Sequence, residues 1–478
     1  MKVAPDFPAR VRAGLSDATL RDSLREMEAA RSHMYRLAFD ELDDPQALKD
    51  AATEARTEAL QHLGAYLTEF ERKVEQLGGH VHWAQDADEA NDIVSRLCEA
   101  VNAHSVTKSK SMVTEEIELG AALEKQGLEV IETDLGEYII QLRGEAPSHI
   151  TAPALHVSIP QVIDAFNEHH EVERDAPLEN TDQLLAEARA VLRDKFLNAD
   201  VGITGANFLI AATGGVVIVT NEGNADLTAN LPDTHIVVTG IEKVVRDFDR
   251  ASDLLHILPR AAVGQRLTNY TSVIHGPRAA DADGGPRNFH VVLVDNGRSA
   301  MLDTEFEPML RCIRCAACLN HCPVYTAIGG HAYGSVYPGP MGAVLSPQLA
   351  GLEDSRHLPN ASTLCGRCAD VCPVGIPIPQ LLRNWRTREF ARHLRPSPER
   401  WGLNFWAWLH RYAVLYRLVQ SGTVKLLRVY AGAAACARGW ISRLPWLGRG
   451  WTAHRDFPVP PKQTFQSQWA ERDKGESL

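Results

Sequence analysis

Long apolar runs are scarce in the 478 residues, and those present are interrupted. The opening stretch, MKVAPDFPARVRAGLSDATL, holds no apolar block of the kind a secretory signal needs, so the chain is expected in the cytoplasm. Residues 201–221 form a 21-residue stretch without a charge, but Gly202, Gly205, Gly214 and Gly215 break it. It predicts strand, turn and strand through a soluble core, not a membrane span. No Walker-type phosphate loop occurs, and no G-x-G-x-x-G opens a helix, so no nucleotide, flavin or nicotinamide signature is present. An overall basic excess is missing too; the net charge of −12 argues against a nucleic-acid binder. Cys98 is the lone cysteine of the first 311 residues, which excludes a spread disulfide framework. No period of 20–50 residues repeats.

What is present is uneven. Apolar residues make up 45% and charged ones 23%, enough for a folded core and too much for a disordered chain. Residues 1–310 hold 28 Lys and Arg against 52 Asp and Glu, whereas 311–478 hold 21 against 9. That asymmetry predicts modules meeting different surroundings. Four regions are expected: a helical segment 1–75, an α/β domain 76–302, a cysteine-bearing module 303–395 and a basic tail 396–478.

In the first region apolar residues recur at three- and four-residue steps, as in EARTEALQHLGAYLTEFERKVEQL, and Gly78-Gly79 ends the run. From 79 to 300 strands and helices alternate. GGHVHWA, LEVIETD, YIIQLR, HIVVTGIEKVV and FHVVLVDNGR read as strands, SVTKSKS as a strand edge and DADEANDIVSRLCEA as a helix. Thr114-Glu115-Glu116 reads as a helix start. RAADADGGPRN reads as a loop. Such alternation implies a largely parallel sheet covered by helices.

The cysteines carry the chemistry. Cys312-x2-Cys315-x2-Cys318-x3-Cys322-Pro323 is the spacing of a two-cluster iron–sulfur run. Short spacers let three thiolates wrap one cube, while the fourth serves the other cluster; Pro323 is expected to stop the turn. A shorter run, Cys365-x2-Cys368-x3-Cys372-Pro373, repeats the ending, with Ser362 where a first cysteine would stand. The crossed rule assigns cluster 1 to Cys312, Cys315, Cys318 and Cys372, and cluster 2 to Cys322, Cys365 and Cys368. Both are expected to be [4Fe-4S]. Seven thiols leave cluster 2 one short, so an oxygen ligand, an open iron or a [3Fe-4S] centre stays open for it. Ser362 reads as a loop residue, because the hydroxyl is the poorer iron ligand. Cys98 and Cys436 read as small hydrophobes.

Arg311, Arg314 and Arg367 flank the ligands and can offset cluster charge. His321 adjoins Cys322 but is not expected to ligate, and His80, His82 and His235 show no metal spacing. Asn221-Glu222-Gly223-Asn224 follows a buried strand and reads as a site loop or a plain turn. The tail holds Trp401, Trp406, Trp408, Trp440, Trp446, Trp451 and Trp469, and residues 383–449 hold 13 Lys and Arg against two Glu. It fits an acidic partner, an anionic membrane surface, or helices packed back on the cluster module.

Two pairs of stretches resemble one family. KSKSMVTEEIELGAALEKQGLEVIETDLGEYIIQL and ADVGITGANFLIAATGGVVIVTNEGN resemble the lactate-utilization (LUD) domain. CIRCAACLNHCPVYTAIGGHAYGSVYPGPMGAVLSP and LPNASTLCGRCADVCPVGIPIPQLL resemble the cluster module of lactate utilization iron–sulfur protein B. The resemblance implies an α/β LUD domain of the isomerase and CoA-transferase type. Beside it stands a helical two-cluster ferredoxin-like module, consistent with the 42 residues between Cys322 and Cys365. It implies that the seven cysteines are the cluster ligands. The implied partners are a cysteine-rich protein and a second LUD-domain protein, acting together to oxidise L-lactate to pyruvate and allow growth on lactate. Ala212 departs from the pattern, which has an acid there, so no ligand role is carried over to that loop.

The reading is an electron-transfer subunit, not catalytic alone, passing the two electrons of lactate singly to an acceptor. Its rivals are a subunit for another 2-hydroxy acid or glycerol phosphate, and a redox or ligand sensor. Location at the inner face of the membrane, through the basic tail, is a further expectation.

Overall fold

The computed structural model describes residues 3–174, 176–445, 448–453 and 455–475. Residues 1–389 form one compact unit and 390–478 another. The first is α/β.

Its main sheet has six strands: β1 (His80–Ala84), β2 (Ser105–Lys108), β3 (Glu129–Glu132), β4 (Val201–Thr204), β7 (Thr234–Gly240) and β10 (Asn288–Val294). All pairs are parallel, in the order β1-β10-β7-β4-β2-β3. A smaller sheet joins β5 (Phe208–Ile210), β6 (Gly215–Thr220), β8 (Val244–Val245) and β9 (Tyr270–Ile274) in the order β8-β5-β6-β9.

The pleat divides the core. Ile236, Val238, Val292 and Val294 face the helix Ala87–Ala100, through Ala90, Ile93, Val94 and Cys98. Val237, Phe289, Val291 and Leu293 face the helix Leu63–Gln76, through Leu67, Phe70 and Val74. Both faces of the sheet are therefore covered, which is why its strands are nearly continuous apolar runs. Cys98 lies in this core as a plain hydrophobe, and burial pushes its thiol up to about 12. The uncharged stretch 201–221 passes through the interior as β4, β5, a turn and β6.

Three local readings are corrected. YIIQLR is not a strand: Leu135–Leu142 is a helix, started by Asp134, whose carboxylate accepts the Glu137 N–H at 3.1 Å. A short apolar run fits either period, and the cap decides. SVTKSKS is no edge, because β2 lies between β4 and β3. The helix over Met112–Glu116 is capped by Ser111, not Thr114.

The N-terminal helices pack on the cysteine-bearing part. Tyr35 donates to the Val371 carbonyl at 3.3 Å, Lys49 to that of Asp370 at 3.2 Å and Arg10 to that of Ala332 at 3.2 Å. A loop of the α/β part docks there too. His149 Nε2 meets Asn320 Oδ1 at 2.9 Å, and Tyr325 donates to the Ser148 carbonyl at 2.8 Å. Gly330 has no room for a Cβ, which would strike that same Ser148 carbonyl.

In the second unit the helices Ser397–His410 and Ala413–Arg438 are followed by a two-stranded antiparallel pair, Trp440–Ile441 with Phe457–Pro458, and the helix Phe465–Gly475. Trp401, Phe405, Trp406, Trp408, Trp451 and Trp469 are exposed, and Trp446 lies outside the described residues. Among the described residues no helix is long and apolar enough to cross a membrane.

Candidate metal centre

Two short loops present the seven thiols. In the first, Arg314 (φ 59°) and Ala316 (φ 62°) take left-handed backbone, so that the chain coils between Cys312 and Cys318. Each such residue costs about 1 kcal/mol or more and persists where the surroundings fix it. Cys322 caps the helix Pro323–Ile328, its sulfur accepting the Tyr325 N–H at 3.5 Å. Pro323 therefore opens a helix at its first position and does not merely stop a turn. In the second loop Leu364 (φ 55°) and Gly366 (φ 91°) play the coiling part.

The thiols gather in two sets. Cys315 lies within electrostatic reach of Cys372 and Cys312. Cys318 lies within reach of Cys312, Cys315 and Cys372, and more weakly of Cys368. Cys368 lies within reach of Cys322 and Cys365. All seven are buried except Cys365. Burial pushes the Cys368 thiol up to about 12 and Cys315 and Cys318 well beyond the usual thiol range. Thiols so placed are poor thiolates unless a metal compensates them. Backbone N–H groups point at sulfur, as from Ile376 to Cys372 at 3.3 Å. An all-sulfur donor set, buried, with N–H groups directed at it, fits iron–sulfur clusters.

Ser362 precedes Cys365 by three residues, and its hydroxyl accepts the Leu364 N–H at 3.1 Å. His321 Nδ1 donates to the Ala317 carbonyl at 2.8 Å.

Positive charge collects beside the first set. Arg298 forms a two-point pair with Glu116 at 2.7 and 2.8 Å and reaches Glu242 at 2.7 Å. Tyr337 and Asn296 also donate to Glu116, each at 2.7 Å. Burial drives the Glu242 carboxyl up, but Arg298 and Arg314 outweigh it and hold it at about 2. Arg56 donates to main-chain carbonyls, of Val244 at 3.1 Å and Leu310 at 3.0 Å among others. Lys243 is buried and lowered to about 8, by desolvation first and then by Arg314. Four cations thus face two carboxylates, an excess of two positive charges. Of the three arginines singled out by spacing, Arg314 stands in this wall with its side chain 10% exposed, Arg311 donates to the Gly375 carbonyl at 2.9 Å, and Arg367 is exposed.

A cavity of about 410 Å³ opens between the carboxyl ends of β2, β3, β4 and β7 and the first thiol set. Arg31, Lys110, Lys243, Arg314 and Cys315 line it, together with Asn221, Glu222 and Asn224 of the suspected site loop. Ala212 sits elsewhere, exposed in the β5–β6 turn, and does not line this cavity.

Sequence reasoning missed the buried group behind β2. Lys108 pairs with Glu115 at 2.8 Å and Glu132 at 2.7 Å, with Glu137 close by. It also missed the contact of His82 Nε2 with His290 Nδ1 at 3.1 Å. The lysine-rich KSK was a signal for the former; the latter depends on strand register, which a sequence does not display.

Comparison with known proteins fits this architecture. The LUD domain family matches residues 67–294, and the 4Fe-4S dicluster domain matches residues 308–376. Iron–sulfur clusters, most simply [4Fe-4S], are therefore this chain's cofactors. Lactate utilization protein B of Shouchella clausii is 44% identical over 98% of this chain and 97% of that one. The protein of the same name from Anoxybacillus flavithermus is 43% identical over 98% of both chains. That from Bacillus subtilis is 41% identical over 100% of this chain and 98% of that one. At that identity over nearly the full length of both, the chain belongs to the lactate utilization protein B family.

Proposed function

We propose that this chain is the iron–sulfur electron-transfer subunit of a complex that oxidises L-lactate to pyruvate. The observation that carries the proposal is the pair of neighbouring thiol sets. Cys312, Cys315, Cys318 and Cys372 would hold one cluster, and Cys322, Cys365 and Cys368 the other. When bound, such clusters accept and release single electrons. The chain's own part is to hold them at adjacent positions, exclude water from the first, and offset its charge. A cube on four thiolates carries about two negative charges. The excess of Arg56, Arg298, Arg314 and Lys243 over Glu116 and Glu242 has the matching sign, and Arg311 and Lys49 lie within electrostatic reach of Cys372.

The partners in this reading are a cysteine-rich protein, a second LUD-domain protein and an electron acceptor. The location is the cytoplasm, with the 390–478 unit against the inner membrane face, supported by its exposed tryptophans among arginines. Anaerobic purification with iron, sulfide and EPR analysis tests the core of it. About eight iron and eight sulfide are expected for two cubes. EPR signals of reduced clusters are expected after L-lactate is added with the companion proteins. Absence of iron, or clusters that stay oxidised while lactate is consumed, overturns the proposal.

A further inference from the structure

The cavity beside Cys315 has charges that the thiol sets do not account for. Lys243 and Arg314 stand among the residues around Cys312, but Arg31 and Lys110 stand elsewhere on the wall. Arg31 comes from the helix Ala18–Asp40, and Lys110 from the segment after β2. Both line the same cavity, and both lie within electrostatic reach of His149. No carboxylate meets either of them within ion-pair distance among the described residues, and the Lys110 ammonium is buried with no hydrogen-bond partner. His149 supplies no counter-charge: its Nδ1 accepts the N–H groups of Thr151 and Ala152, each at 3.1 Å, which leaves a neutral ring. The two acids of the lining are engaged with backbone and ion-pair with neither cation, while Glu222 lies within electrostatic reach of Lys110. Asp134 caps the helix Leu135–Leu142, and Glu222 accepts the Leu135 N–H at 3.5 Å.

A buried ammonium without a partner is costly, and a guanidinium on the wall of the same cavity offers two-point capture of a carboxylate. The cavity is at the small end of ligand pockets, which span roughly 300–1,000 Å³. Asn207, Asn224 and Thr239 add neutral hydrogen-bonding groups to its wall. We infer that this cavity binds a small 2-hydroxy- or 2-oxocarboxylate, with its carboxylate held between Arg31 and Lys110 and the rest of the molecule toward Cys315. The choice of hydroxy acid rests on the proposed function; the carboxylate class rests on the unpaired cations.

The test is a calorimetric titration of the oxidised, anaerobically purified full-length protein with L-lactate, pyruvate and inorganic phosphate. Saturable binding of lactate or pyruvate, with phosphate at least tenfold weaker, is expected. Arg31→Met and Lys110→Met should each weaken binding tenfold or more at unchanged iron content, while Arg31→Lys recovers part of the loss. Arg72→Met, on a remote exposed ion pair with Glu69, should bind as the parent does. No binding to the parent protein, equal binding of phosphate, or full affinity in the Arg31 and Lys110 variants overturns the inference. The readouts separate the two proposals. Clusters reduced by lactate without binding here leave electron transfer standing and move the substrate to a companion. Binding here without cluster reduction does the reverse.

Discussion

The two thiol sets arise from one repeated motif, yet they sit in different surroundings. The first has four thiols, all buried, beside an excess of positive charge. The second has three; Cys365 is exposed, and Ser362 hydrogen-bonds to backbone where a fourth thiol would stand. A cluster sealed among cations is tuned by the protein, whereas one open at a corner is tuned by whatever reaches it. On the proposed electron-transfer function, the difference suits the first set to holding an electron and the second to exchanging it with a partner.

The sharpest way to break that comparison is to test the pairing itself. Cys372→Ala removes a thiol of the second run but should abolish the first cluster. Cys322→Ala, in the first run, should abolish the second. Each should lose about half of the iron, and the EPR signals that survive should be complementary. If both variants lose the same signal, the sets are wrongly drawn.

Next in size is the charge scaffold. Glu116→Ala removes one of the two carboxylates on buried Arg298 and leaves it with Glu242 alone, so the loss should fall at or below the low end of the roughly 3–5 kcal/mol that breaking a buried pair costs. Chemical denaturation should report that loss. Arg314→Met is milder. A unit charge at roughly 10 Å and an effective dielectric near 20 is worth about 1.7 kcal/mol, or roughly 70 mV for one electron. The first cluster's potential should fall by about that amount and the second's by less, by redox titration followed with EPR. Equal shifts would erase the contrast between the sets.

Much of this was legible in the sequence. The cysteine spacing and the alternation of strand and helix are local signals, and both describe the structure's elements. What was not legible depends on partners distant in sequence. Arg31 and Lys110 are ordinary surface-type residues until a helix near the beginning of the chain meets the end of β2. Glu116 and Arg298 are 182 residues apart, and neither marks itself as buried. The YIIQLR run was misread because four apolar residues fit both periods, and the deciding Asp134 cap precedes them.

The finest test concerns the missing eighth ligand. Ser362 accepts the Leu364 N–H, a bond that a serine oxygen bound to iron would have to weaken. Ser362→Ala is therefore expected to keep the full iron content, to shift the second cluster's EPR signal little, and to lower stability by about 1 kcal/mol for the lost turn bond. Ser362→Cys asks the converse. A thiolate at that position would complete a four-sulfur set, slow iron loss to an external chelator and make the second cluster resemble the first. Loss of the second cluster in Ser362→Ala would identify the serine oxygen as its ligand and close the open corner on which the division of labour depends.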